Sequence, residues 1–138
     1  MWEQDLKEGE EVEGKFANLL FSKGYVNTFR TEGKTKYDII SINPKTDQLI
    51  SFEVKYDRMC SETGNVAIEV AYNGKPNSIS LASCKYVVYY VEEKFYSIDS
   101  VILSWLLKDK DKVKGGDDNK SDLVLLSMKE FKEIFDRV

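Results

Sequence analysis

Two apolar segments separated by a turn-forming hexapeptide constrain the fold of this chain more than any other feature. Residues 37–42 (YDIISI) and 49–55 (LISFEVK) are rich in β-forming residues, and residues 43–48 (NPKTDQ) carry the side chains typical of a turn. The pattern therefore predicts an antiparallel hairpin in a sheet.

Charged residues inside these apolar strands are unexpected, because burying charge is costly. Pairing that is symmetric about the turn places Ile42 opposite Leu49, Ile40 opposite Ser51 and Asp38 opposite Glu53. Opposite residues project on one face with Cα atoms roughly 4.5–5.5 Å apart, and the period of two adds Lys55 to that face. A bulge would shift this register by one residue. Without one, Asp38, Glu53 and Lys55 form a single cluster.

The first helix is predicted from about Asp5 to Lys23, with Gly24 as the residue that ends it. Apolar residues recur at helical spacing, and Glu13 lies three, four and seven residues before Phe16, Ala17 and Leu20. Glu13 therefore shares the flank that faces the core. Glu10, one turn earlier, is the alternative acid.

The rest of the chain alternates between short strands and helices. The predicted elements are a strand at 66–72, a short helix capped by Asn77 or Ser78 and running through Ser83, a strand at 85–91, its hairpin partner at 95–98, a helix capped by Asp99, a polar mobile loop at 108–122, a strand at 122–126 and a helix opened by the capping box Ser127–Glu130. Glu69, between apolar neighbours on its strand, is predicted to face solvent. This order indicates one mixed α/β domain, residues 1–138, around one sheet.

The composition indicates where the protein acts and how its cysteines are used. The chain has 138 residues, 42% hydrophobic and 32% charged, with no run of 18 apolar residues and a charged N-terminus. It therefore predicts an intracellular, cytoplasmic protein with no membrane partner and no secretory signal. Cys60 and Cys84 are too few and too isolated for a zinc cluster or a disulfide framework, so they are predicted to be free thiols.

The chain contains no histidine. Mechanisms that need an imidazole base or ligand are thereby excluded, including Ser-His-Asp and Cys-His triads. An enzyme of this composition works with carboxylates, lysines and hydroxyls, and its carboxylates favour a hard cation such as Mg²⁺ or Mn²⁺. The net charge of −4 argues against nucleic-acid binding, yet metal ions in an acidic site invert the local field and attract phosphate.

Metal-dependent phosphodiester hydrolysis fits the cluster in the hairpin. The reaction needs carboxylates to hold a metal beside the scissile phosphate, an activated water and positive charge for the transition state. Asp38 and Glu53 supply the carboxylates, Lys55 the cation, and Glu13 a further acid. A structural ion-pair network is the alternative interpretation of the same residues.

The pattern Asp38…Glu53-Val54-Lys55 resembles the core motif of the PD-(D/E)xK nuclease superfamily, with Tyr37 where a proline often stands. Glu13, followed by Gly24-Tyr25, is similar to the first-helix acid of the archaeal Holliday junction resolvase branch. The resemblance covers roughly residues 9–91 and implies a restriction-endonuclease-like core, with a central mixed β-sheet flanked by helices.

The resemblance also implies roles for residues. Asp38, Glu53 and the backbone carbonyl of Val54 would bind the metal, Lys55 would handle the attacking water, and Glu13 would be an outer metal ligand. The residues predicted to contact nucleic acid are Lys36, Arg58, Lys75, Asn77 and Ser78. The loop at 73–78 resembles loops that phage-encoded members place near DNA, so a phage origin fits.

The sequence therefore predicts a magnesium-dependent endonuclease acting on branched or structured DNA, of a type in which two domains pair as a homodimer. Duplex DNA or RNA is the alternative substrate, and a non-catalytic DNA-binding module of the same fold is the alternative class. The lysines at 108, 110, 112 and 114 fit either a solvated loop or phosphate contacts. Residues 115–121 (GGDDNKS) are not a P-loop and are predicted to be flexible.

Overall fold

Two β-sheets organise the protein, whose computed structural model describes residues 2–31, 38–77 and 79–138. The elements in chain order are α1 (Trp2–Ser22), β1 (Val26–Arg30), β2 (Ile39–Ile42), β3 (Leu49–Tyr56), α2 (Cys60–Thr63), β4 (Asn65–Tyr72), β5 (Lys75–Pro76), β6 (Tyr86–Val91), β7 (Lys94–Asp99), α3 (Ser100–Leu107), β8 (Val113–Gly115), a 3₁₀ turn (Asp117–Asn119), β9 (Ser121–Ser127), α4 (Met128–Ile134) and β10 (Asp136–Arg137).

The first sheet has the strand order β1-β2-β3-β6-β7-β10. β3 and β6 run parallel and the other neighbouring pairs run antiparallel, so the sheet is mixed. Helix α1 packs on it through a buried cluster that includes Val12, Phe16 and Leu20. The predicted class, a mixed α/β fold with a central mixed sheet and flanking helices, is confirmed.

The hairpin register agrees with the sequence prediction. Ile42 pairs with Leu49, and Ile40 pairs with Ser51. The turn itself is closed by a hydrogen bond from the Asn43 amide to the Gln48 carbonyl. No irregularity interrupts the β2–β3 ladder, because the apolar face of β3 fixes which residues point inward.

The second sheet differs from the prediction of one sheet. β4 does not join β3; it pairs with β9, and the sheet order is β5-β4-β9-β8. The pairing joins residues that are distant in the chain, such as Ile68 with Val124, 56 positions apart. Local sequence patterns do not encode such a long-range choice, so both strands were predicted but their partnership was not.

Three predicted helix ends are present as hydrogen-bonded caps. At the end of α1 the amide of Gly24 (φ +89°) donates to Phe21 and that of Tyr25 to Leu20, the paired bonds of a Schellman motif. Asp99 accepts hydrogen bonds from the amides of Val101 and Ile102. Ser127 and Glu130 form the predicted capping box of α4.

The short helix predicted through Ser83 is wrong. Asn77 accepts hydrogen bonds from the amides of Ile79 and Ser80 as a cap would, but turns follow instead of a helix. Ala82 has a left-handed φ of +49°, which a continuing right-handed helix does not allow.

The loop predicted at 108–122 contains β8, which pairs with β9, and the 3₁₀ turn. An ion pair between Lys114 and Asp122 (2.5 Å) joins β8 to β9. This segment is therefore partly regular structure rather than an irregular loop. Across the described parts of the chain, none of the helices combines the length and the apolar character that a membrane crossing requires.

Candidate active site

Asp38 stands at the start of β2, held by hydrogen bonds to the neighbouring strand. Its amide donates to the Phe52 carbonyl (2.9 Å), and its Oδ2 accepts a hydrogen bond from the Val54 amide (2.8 Å). Two contacts thus fix the backbone and the carboxylate. The side chain is aimed at the middle of β3, where Glu53 and Lys55 lie.

Glu53 is almost buried, with 8% of its surface exposed. Its Oε1 lies 3.2 Å from Nζ of Lys55, which is partly exposed. The structure thus brings Asp38, Glu53 and Lys55 together, as the register predicted.

The acids of this cluster repel one another. Burial raises the pKa of Asp38, and the Glu53 charge raises it further, against the lowering effects of the Val54 hydrogen bond and Lys55. Two carboxylates forced together in a partly buried place favour a cation between them. Lys55 supplies one positive charge there.

Lys55 remains a charged ammonium. Burial lowers its pKa, but Glu53, Asp38 and Glu69 raise it by a larger amount, so the net pKa lies above the ordinary lysine value. A protonated lysine in this position can donate hydrogen bonds but cannot act as a base at neutral pH.

Glu13 belongs to the same electrostatic network. It lies on α1, half-buried, and its pKa is raised by burial and by Asp38, while Arg30 and Lys55 lower it. Glu10 is exposed, and its charge acts on Glu13. Of the two alternatives, Glu13 is therefore the acid that couples to Asp38.

Arg30 is a site neighbour that the sequence patterns missed. It ends β1, and its Nη2 donates to the Glu10 carbonyl (2.8 Å), so the guanidinium lies against α1 near Glu13. β1 was not predicted because it is short and irregular, with a left-handed φ at Asn27. Its mixed residues Val26 to Arg30 (VNTFR) are a weak strand signal.

A groove of about 450 Å³ opens beside Lys55. Its walls come from α1, the end of β3, β4 and β9, and include Glu8, Arg58 and Glu69. The prediction that Glu69 faces solvent holds only in part, since the side chain is half-buried and lines this groove. The second sheet creates that wall, which is why the local pattern of β4 did not reveal it.

The oxygen donors present suit a hard cation. Asp38 and Glu53 offer carboxylates and no soft ligand lies among the predicted site residues, which is the chemistry that Mg²⁺ and Mn²⁺ prefer. Within residues 2–31, 38–77 and 79–138, no group of three or more His, Cys, Asp or Glu side chains is arranged to hold a metal. An ion bound at Asp38 and Glu53 therefore needs a main-chain carbonyl or water to complete its shell.

The predicted nucleic-acid contacts have different surroundings. Arg58 is exposed and lies 3.5 Å from Glu8 across the groove, and Lys75 is exposed on β5. Asn77 donates to the Glu69 carbonyl (2.5 Å) besides capping the following turn, so its side chain serves the fold. Lys36 and Ser78 lie outside the described residues.

Two lysines of the 108–114 segment make ion pairs. Lys110 lies 3.4 Å from Glu130, and Lys114 pairs with Asp122. Lys108 and Lys112 instead line a second, apolar pocket, on a different part of the surface from the groove.

The chain resembles a protein of known structure in its fold. No protein-family model matches the chain, and no curated protein is significantly similar to it. Among solved structures, the chain is similar to the bacterial homing endonuclease I-Ssp6803I, with a TM-score of 0.54 and 16% sequence identity. The likeness covers 86% of this chain and 72% of that chain.

The two chains therefore share a fold. At this level of identity the likeness concerns the path of the backbone alone. Within this fold Asp38 and Glu53 lie on neighbouring segments of the first sheet, and Lys55, which pairs with Glu53, lines the open groove.

Proposed function

We propose that this protein is a metal-dependent endodeoxyribonuclease of the PD-(D/E)xK type that hydrolyses phosphodiester bonds. The observation that carries the proposal is the convergence of the Asp38 and Glu53 carboxylates with the Lys55 ammonium on adjacent strands of an endonuclease fold. An open groove lined by Val54 and Lys55 would let a polynucleotide approach the ammonium.

Asp38, Glu53 and the main-chain carbonyl of Val54 would hold a Mg²⁺ or Mn²⁺ ion, with waters in the remaining positions. Mg²⁺ keeps several waters and is often bound through one or two carboxylates, so a set of two acids is sufficient. A bound ion would polarise the phosphate and lower the pKa of a coordinated water.

The protein's own side chains account for the rest of the chemistry. Lys55, kept protonated by its acidic neighbours, would hydrogen-bond the attacking water and offset charge that develops on the phosphate. Glu13, beside Asp38, would add negative charge as an outer ligand of the metal. Arg30 lies close enough to Glu13 to limit the repulsion between these acids.

The proposed substrate is branched or structured DNA, as for a Holliday junction resolvase. The support is the resemblance that joins Asp38…Glu53-Val54-Lys55 to Glu13 and Gly24-Tyr25. The same resemblance supports a homodimer that cuts two strands in an intracellular setting. Duplex DNA and RNA are the alternative substrates.

A second candidate is a DNA-binding module with this fold that does not cleave. Two observations favour it: the missing three-acid group within the described residues, and the direct pair of Lys55 with Glu53, which a structural network would also show. The two candidates differ in whether the cluster binds a divalent ion.

Two measurements separate the candidates. The protein is incubated with Mg²⁺ and labelled four-way junction, flap, duplex, single-stranded DNA and RNA, with the Asp38→Asn variant as a control. We expect cleavage of junction DNA that the variant lacks. Calorimetry with Mn²⁺ should detect a site that Glu53→Gln loses. Binding of DNA with neither cleavage nor ion binding would establish the non-catalytic module.

A further inference from the structure

An apolar surface around α3 lies apart from the candidate active site. Four large apolar side chains are solvent-exposed there: Val101, Ile102 and Trp105 on α3, and Leu81 on the turn that packs beside it. Trp105 is 73% exposed and Leu81 63%. Clustered exposed apolar residues of this size mark interaction surfaces more often than scattered ones do.

A pocket of about 450 Å³ opens in the middle of this surface. Val70, Ile79 and Leu107 form its apolar floor, and Trp105 stands at its wall. Its size suits one or two large side chains. A concave apolar pocket beside an exposed tryptophan is the arrangement in which interface anchors bury.

The rim of the pocket is positively charged. Lys108 and Lys112 line it, and none of the described residues that line it is acidic. The exposed Asp109 and Asp111 alternate with these lysines along the chain but are not among the described residues that line the pocket, so the positive charge is confined to the pocket lining. It favours an occupant that brings negative charge next to apolar groups.

The pocket and the groove are separate sites. None of the described residues lines both: Glu69 lines the groove, whereas Val70, the next residue on β4, lines the pocket. The occupant of the pocket is therefore distinct from whatever fills the groove.

A second copy of this chain fits the rim poorly. A two-fold interface is self-complementary, so a second copy would bring to this pocket only groups of the same surface. None of the described residues that line the pocket is acidic, so that lining offers Lys108 and Lys112 no carboxylate. A nucleic acid would satisfy the lysines but would leave the aliphatic side chains Val101, Ile102 and Leu81 without a partner.

We propose that the α3 surface, formed by Leu81, Val101, Ile102, Trp105, Lys108 and Lys112, docks an acidic amphipathic segment of a partner protein. A large apolar side chain of that segment enters the pocket beside Trp105. Its Asp or Glu residues pair with the two lysines at the rim.

A pair of model peptides tests this proposal on the full-length protein. Both are short amphipathic helices with the same leucine face; one has glutamates on its polar face and the other lysines. Fluorescence of Trp105 is followed in a Trp2→Phe background, so that one tryptophan reports. We expect saturable binding and a blue shift with the acidic peptide, and binding at least about tenfold weaker with the basic one.

Variants locate the binding. Trp105→Ala should weaken the affinity for a labelled acidic peptide, measured by fluorescence anisotropy, about tenfold or more. The double variant Lys108→Glu, Lys112→Glu should instead bind the basic peptide more tightly than the acidic one. Because all three side chains are exposed to solvent, circular dichroism and thermal unfolding should match those of the parent. Cleavage of DNA, if present, should also be unchanged.

Three results would overturn the proposal. The first is that the acidic and basic peptides bind with equal affinity, or that neither binds. The second is displacement of the acidic peptide by single-stranded DNA at the same site, which would assign the surface to nucleic acid. The third is a dimer in sedimentation that Trp105→Ala converts to a monomer, which would assign it to a second copy.

Discussion

Oδ2 of Asp38 accepts a hydrogen bond from the backbone amide of Val54 at 2.8 Å. This contact ties the carboxylate at the start of β2 to the centre of β3, where Glu53 and Lys55 flank Val54. The Asp38 side chain thus has a structural role, the hydrogen bond to Val54, and a proposed catalytic role. Substitutions that remove one role and keep the other can distinguish them.

Asp38→Asn keeps an oxygen that can accept the Val54 hydrogen bond but removes the charge. We expect cleavage to fall about a hundredfold or more, the scale seen when charge support is lost from a transition state. Stability should be kept or improved, because repulsion between Asp38 and Glu53 is relieved. Single-turnover cleavage and urea unfolding measure the two effects.

Asp38→Ala is the matched comparison. It removes the acceptor as well as the charge and leaves the Val54 amide unpaired, which should cost about 1–3 kcal/mol of unfolding free energy. If the Asn variant cleaves at the parent rate, the charge of Asp38 is not required for cleavage.

Lys55→Met tests the role of the ammonium. The substitution removes the cation that pairs with Glu53 and interacts with Asp38, so divalent ions should bind as well as before or more tightly. Cleavage should still fall about a hundredfold. Mn²⁺ calorimetry and cleavage under saturating metal measure the two quantities, and loss of both together would contradict a role for Lys55 in the chemical step alone.

Local patterns predicted the hairpin well because one buried face and one turn fix its register. Ile42 opposite Leu49 and the resulting approach of Asp38 to Glu53 follow from alternation and loop symmetry. Caps at Gly24, Asp99 and Ser127 are equally local. Elements of this kind are readable from a few adjacent residues.

The groove was not predictable in the same way. Its far wall, including Glu69, depends on β4 pairing with β9, and Arg30 reaches α1 only because the irregular β1 joins the sheet edge. Both are long-range choices between strands that look alike in sequence. The acids were therefore found from sequence, whereas the surface that would receive a substrate was not.

Two phenylalanines of α1 provide a test of how the helix is anchored. Phe16 is 1% exposed, and its ring lies 5.2 Å from the rings of both Phe52 and Phe95, whereas Phe21 is 76% exposed. Phe16→Ala should cost about 3–5 kcal/mol, and Phe21→Ala less than about 0.5 kcal/mol. Urea unfolding of both variants checks this, and equal losses would mean that α1 is held differently.

The two free cysteines should resist thiol reagents in the folded state. Both are buried, and burial raises the pKa of Cys84 to about 11 and also raises that of Cys60. Because the thiolate is the reactive form, labelling by iodoacetamide at neutral pH should be far slower than in urea. Rapid labelling of the native protein, read by intact mass, would contradict this burial.

The cap of α3 carries both a local and a pH-dependent contribution to stability. Asp99 accepts hydrogen bonds from two helix amides and also pairs with Lys85 at 2.7 Å. Asp99→Ala should cost about 1 kcal/mol. Asp99→Asn keeps the capping oxygen and loses only the ion pair, which at an exposed site is worth less than about 1 kcal/mol.

The hydrogen bond from Lys85 lowers the pKa of Asp99, and the same bond raises the pKa of Lys85. Because the pKa of Asp99 is lowered by folding, the ion pair stabilises the fold at pH values above the unfolded-state pKa of about 3.9. This contribution is lost as the pH falls through the lower, folded-state pKa. Because the pKa of Lys85 is raised by folding, the pair contributes to stability in full at pH values below the unfolded-state pKa of about 10.4. This contribution is lost as the pH rises through the folded-state pKa of Lys85. The stability difference between the parent and Asp99→Asn should therefore be constant near neutral pH and shrink at both extremes. Urea unfolding from pH 3 to pH 11 measures it, and a difference that does not change with pH would show that the ion pair contributes nothing.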